Sequence, residues 1–319
     1  MSKTSKSLTL SRIEDLTLGA FAYVPVPSTL EHLNAYLNTW QGTEKSFAIL
    51  QYALQLLVPF LKWRANIQYK NGARASPIST TAPRLAKLAG LLSDARALFS
   101  LFGVLPIIQW LSSIERKAPA TRSLLTIERI QAWSMLLFYP LDHTRYLLSH
   151  SVVNDKTSSA LARISGTTKT SADGTTSLDA GKISRLSCQL WLLYTIMQLG
   201  HLREDKKILV DEARSLSKSK ALSAQAARAK VQERLNYLWP SLLTNICDLF
   251  CALHWSLENG FFKNSVYPDL LMFISSVVGW RNGFRAIRAA APAVAEKSDV
   301  LLDLGIQAPI GLDAGLDEI

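Results

Sequence analysis

The sequence predicts an all-α protein: a membrane-associated bundle of long helices, in two halves joined by a disordered linker. Three observations lead there. Apolar residues recur with helical spacing nearly throughout, and no long alternating β-branched run or strand–helix–strand rhythm interrupts them. Apolar residues make up 48 % of the chain and charged residues only 19 %, against about 25 % charged in ordinary soluble domains. Residues 152–181 depart from both patterns. They are dominated by Ser, Thr, Gly and Asp without helical period, a composition that buries too little to fold.

The elements follow in order. Residues 1–27 form an N-terminal arm. It starts basic, but Glu14 and Asp15 interrupt any apolar run, so it does not read as a secretory signal. Residues 28–151 form the first helical half. "STLE" predicts Ser28 as N-cap with Glu31 answering it in a capping box. That helix should reach about Trp40, where Gly42 breaks it. A second runs from Thr43 to about Tyr69. In "ISTTAP", Thr81 is placed to cap and Pro83 suits a first turn. The helix they launch should bend or stop at Gly103 and Pro106. Another spans about Arg122 to His150. The C-terminal, membrane-embedded half covers residues 182–290. Its helices run from about Lys182 to Ser219, from Leu222 to Trp239, from Pro240 to Asn259, and from Pro268 to Ala290. Residues 291–319 form an acidic tail expected to be disordered.

The formal net charge is +10. From Ala289 on, six acids face only Lys297, a tail charge of −5, which leaves +15 on residues 1–288. Such a surface suits anionic phospholipid. Nucleic acid is not indicated, because the basic residues are scattered and no RNA- or DNA-binding signature accompanies them. Three cysteines give no disulfide framework and fit a reducing compartment.

A membrane span needs about 20 mostly apolar residues. The uncharged stretches 97–114, 186–202 and 270–280 fall short or contain breakers, and 235–257 carries Asp248. Such borderline stretches suit helices that lie in the interface or cross with help from neighbours.

One helix has a cleaner pattern. In "RLAKLAGLLSDARALFSLFG", residues 84–103, a turn of 100° per residue puts Leu85, Leu88, Leu91, Leu92, Ala95, Leu98, Phe99 and Phe102 on one arc about 140° wide. Lys87, Asp94, Arg96 and small polar residues fill the rest. Half-immersing seven large apolar side chains gains on the order of 5–10 kcal/mol gross. Each basic residue near anionic lipid adds about 1 kcal/mol, so grease dominates. The membrane-inserting candidates are Leu85, Leu88, Leu91, Leu92, Leu98, Phe99 and Phe102. The headgroup-binding candidates are Arg84, Lys87 and Arg96.

"WQGTEKSFAILQYALQLL", from Trp40 to Leu57, resembles the N-terminal signature of the peroxin-11 family, helical proteins of the peroxisomal membrane. The amphipathic helix falls where that family carries its membrane-inserting helix. "WSMLLFYPLDHTRYLLSH" resembles the aromatic-rich segment that follows. "KISRLSCQLWLLYTIMQL" and "PDLLMFISSVVGWRNGF" are similar to its C-terminal helices. The common Gly-Arg-Asp-Lys start is here Gly42-Thr43-Glu44-Lys45, and Ser100 and Val104 stand where basic residues are frequent. The long linker suggests a divergent, fungal-type branch. The resemblance implies peroxisome elongation and fission at the peroxisomal membrane by helix insertion. It also implies homo-oligomers or a paralogue as partner, recruitment of fission machinery, and no enzymatic activity or cofactor.

Other features are weaker. Cys247, Cys251 and His254 share one helix face, but three zinc ligands from a single helix with no second pair is an unusual set. Gly279 and Gly283 form a GxxxG that lets helices approach closely, a candidate oligomer contact. Arg281, Arg285 and Arg288 recur after an apolar run, as headgroup anchors do. His143 beside Asp142 and His150 beside Ser149 lack the sharp nucleophile turn and oxyanion donor of a catalytic triad. Two other functions fit the composition. One is a pore for small metabolites lined by Asn245 and Asp248; the other is a soluble helical adaptor.

Overall fold

The computed structural model describes residues 27–156, 166–170, 176–218 and 222–303, with side chains to residue 289. The protein is all-α. Helix α1 spans Ser28–Leu37, α2 Trp40–Lys70 and α3 Ala82–Phe99. A 3-10 turn at Ser100–Gly103 leads into α4, Val104–Arg116, and α5 follows at Arg122–Ser149. Strands β1 (Thr168–Thr170) and β2 (Thr176–Leu178) precede α6 (Ala180–Ser217), α7 (Leu222–Ser256) and α8 (Val266–Asp303).

Several helix ends differ from expectation, each for a local reason. Ser28 is the first helical residue after Pro27 and makes no side-chain cap; its carbonyl instead accepts from the His32 ring. Gly42 does not break the chain into two helices. It lies buried in the first turn of α2, where its carbonyl accepts from the Ser46 hydroxyl at 2.7 Å. At α3, Thr81 makes no cap bond; Ser79 Oγ accepts the Ala82 amide instead, at 3.2 Å. Thr121 and Asp179 do cap, accepting the amides of Leu124 and of Gly181 and Lys182.

The expected stop at Gly103 and Pro106 is absent. The helix tightens to 3-10 for one turn and continues. Pro106 falls in the first turn of α4, where a missing N–H costs no intrahelical bond. Gly103 serves a close approach: a Cβ there would lie 2.6 Å from Cε1 of Tyr139. Pro240 likewise sits inside α7 rather than before it. Ser241 Oγ donates to the Tyr237 carbonyl at 3.0 Å, and Thr244 Oγ1 to the Pro240 carbonyl at 3.1 Å.

Residues 152–181 are not uniformly structureless. β1 and β2 pair antiparallel with Thr168 opposite Leu178, and Lys156 bridges to Ser177. The Lys182 ammonium donates to the Thr168 carbonyl at 2.8 Å, tying the hairpin to α6. At the other end, α8 continues past Ala290 to Asp303. The rest of the expected tail, and the arm over residues 1–26, lie outside the described residues.

Residues 41–283 form one compact unit. Within it, α4 packs on α5, α5 on α6 and α6 on α7. Ile114 of α4 buries against Leu125 and Ala132 of α5, beside a bidentate Glu115–Arg129 pair. Gln131 of α5 donates to Gln198 of α6 at 2.6 Å, and Trp191 of α6 stacks on Trp255 of α7 at 5.9 Å. Ser275 of α8 donates to Asp248 of α7 at 2.7 Å. Trp280 of α8 donates to Ser46 of α2 at 3.0 Å. The two halves of the sequence thus share one body, joined face to face by α5 and α6. The second unit holds α1 and the chain from Phe284 on, where Tyr36 meets Phe284 edge-on.

Candidate membrane-inserting surface

Helix α3 is attached to the body by small residues and one arginine. Ala82 and Ala89 are buried to within 2 %. Arg96 follows at the same spacing of seven, within about 20° of Ala89 around the helix. Its Nε and Nη2 donate to Glu44 Oε1 at 3.1 and 2.6 Å, and its Nη1 donates to Gln51 Oε1 at 2.7 Å. The guanidinium lies 5.4 Å from the centroid of the Tyr52 ring. Burial alone would raise the Glu44 pKa, but Lys45 and Arg96 outweigh it and hold the carboxyl below its ordinary value. The pair is therefore ionised, with side chains 19 % and 25 % exposed. Arg96, expected at the headgroups, instead turns inward. A polar position on a helical wheel does not tell water from a buried carboxylate.

The apolar arc is divided by that attachment. Leu85 and Leu92, beside the inner stripe, are half-buried. Leu88, Leu91, Leu98, Phe99 and Phe102 are exposed, with Phe102 at 68 %, although Phe99 also stacks on Phe47 of α2 at 6.1 Å. Arg84 and Lys87 are exposed near the start of the helix. Asp94 approaches His150 at 3.6 Å.

The exposed stripe does not end at Phe102. Leu101, Leu105 and Ile108 are exposed as well, continuing the helical spacing through the 3-10 turn onto α4. Sequence reasoning missed them because it ended the helix near Leu105. The unbroken spacing 98, 102, 105, 108 was the signal that pointed past it. Residues 82–116 together are long and apolar enough to cross a membrane, and only 11 % of their most apolar window is buried. At 1.5 Å per residue they form a rod about 50 Å long.

Among proteins of known family, residues 30–169 match the family model of Peroxisomal biogenesis factor 11 (PEX11). Over those residues the chain is similar to the peroxin-11 family. The match takes in α1 to α5 and hence the whole rod; the similarities noted in α6 and α8 lie beyond it. The matched family is one of peroxisome biogenesis. Among curated proteins and among solved structures, nothing matches this chain.

Most of the remaining candidates have local contacts within the chain. A Cβ at Gly279 would lie 3.5 Å from the Lys45 side chain of α2, so that side of the GxxxG is approached within the chain; Gly283 is half-buried. Cys247 and Cys251 are buried, and Cys251 Sγ donates to the Pro268 carbonyl. His254 Nδ1 accepts the amides of Phe261 and Phe262 at 2.8 and 3.1 Å, holding the turn after α7. His143 meets Ser100 at 3.1 Å and stacks on Tyr139, pinning α5 to the 3-10 turn. Asn245 is buried, and Asp248 is engaged by Ser275.

Proposed function

We propose that this chain elongates the peroxisomal membrane ahead of fission by laying the α3–α4 rod into one leaflet. The observation that carries the reading is the uncovered stripe from Leu88 to Ile108. A soluble bundle gains by covering such a stripe; a leaflet covers it equally well. Half-immersing eight large apolar side chains gains on the order of 6–12 kcal/mol gross, more than the exposed Arg84 and Lys87 add at about 1 kcal/mol each. A helix seated about 5–10 Å deep expands one leaflet relative to the other and favours curvature. Association with a second copy or a paralogue concentrates such wedges along a tubule, where fission machinery then acts.

The test is vesicle flotation and tubulation by the full chain carrying Leu88→Asp and Leu91→Asp. Both residues are exposed, so the fold is expected to survive while binding falls at least tenfold, a loss of about 1.4 kcal/mol or more. Undiminished binding by a folded double variant contradicts the wedge.

A further inference from the structure

The apolar arc of α3 poses a problem of orientation. Burial alone favours a helix rolled so that Leu88, Leu91 and Leu98 face the body, since leucine gains more than alanine on leaving water. Yet the body receives Ala82 and Ala89, and the leucines face out. Alanines are too small to interlock and hold a rotation. The feature on that inner stripe that does fix one is Arg96. It is held by two hydrogen bonds to Glu44 and one to Gln51, with its guanidinium near the Tyr52 ring. All three partners belong to α2, within two turns of one another. A planar fork bound at three points tolerates little rotation of the helix that carries it.

We propose that Arg96 is a positioning residue: clamped by Glu44 and Gln51 of α2, it sets the rotation of α3 so that the leucine stripe is presented to the bilayer rather than to the chain's own body. This rests on the wedge reading above and names the device that orients it. Rolling the helix inward would carry the guanidinium away from Glu44, leaving that part-buried carboxylate only the more exposed Lys45 at 3.4 Å, and would strip Arg96 of its partners in a part-buried site, a loss such pairs resist.

The test uses the full chain with its three cysteines replaced and an environment-sensitive fluorophore placed at Leu91→Cys or, separately, at Ser93→Cys. Both positions are exposed, one on the stripe and one on the polar flank. On vesicles of phosphatidylcholine and phosphatidylinositol, the label at 91 brightens and shifts to the blue several-fold more than the label at 93. Arg96→Met abolishes that contrast while helical content is retained. Glu44→Gln reduces it, and the exchange of Glu44→Arg with Arg96→Glu restores part of it. A general loss of stability does not reverse on charge exchange. Full contrast in both Arg96→Met and Glu44→Gln overturns the clamp and leaves the wedge standing. Absence of contrast in the parent chain overturns both.

Discussion

His201 of α6 meets two carboxylates, Glu128 of α5 at 3.2 Å, which ties the two helices, and Asp205 of its own helix at 3.1 Å. Burial pushes its pKa down, but the hydrogen bonds and charges of Asp205 and Glu128 prevail and raise it to about 9. The unfolded value is about 6.5. A raised folded value means that the stabilisation is complete below about pH 6.5 and is lost as pH rises through about 9, of order 3 kcal/mol in all. The urea midpoint should therefore fall between about pH 6 and pH 10 in the parent chain, and His201→Asn should flatten that slope. An equal slope in the variant contradicts the assignment. This histidine sits in a stretch that reads as uncharged, 186–202. Its partners are 73 residues away on α5 and one turn along α6, and only the nearer was visible in the chain. Arg96 is hidden in the same way, 52 residues from Glu44. Residue type and wheel position were legible; the partner was not.

At the scale of elements, periodicity located nearly every helix, and the errors cluster at Gly and Pro. Gly42, Gly103, Pro106 and Pro240 all read as stops, and all lie inside or between helices that run on. For Gly42 and Pro106 the context is a first turn, and for Gly103 a tyrosine ring packed over the glycine. The consequence is functional, because the rod is nearly twice as long as α3 alone. If the stripe acts as one surface, Leu101→Asp with Leu105→Asp weakens vesicle binding about as much as the pair in α3, by about tenfold. Flotation of the full-length variant checks this. Unaltered binding confines insertion to α3. The strand pair 168–170 and 176–178 is the other feature that pattern did not reveal. Two strands of three residues carry no periodicity to read, and their pairing depends on contacts with Lys156 and Lys182.

For the molecule as a whole, composition foresaw the excess of grease but not its distribution. Exposed Trp63, Trp133 and Trp239 show that apolar faces are uncovered on α2, α5 and α7 as well. What sets the rod apart is that its stripe is continuous over two helices. On the reading proposed above, the inward arginine and the outward leucines belong to one arrangement, in which a polar clamp holds the helix so that lipid satisfies its hydrophobic burial. The measurement that tests this most directly is a nitroxide scan of residues 84–108 in the full chain on vesicles, comparing collisions with oxygen and with a water-soluble nickel complex. The account predicts a helical oscillation with lipid exposure greatest at 88, 91, 98, 102, 105 and 108. Uniform access to the nickel complex at those positions contradicts it.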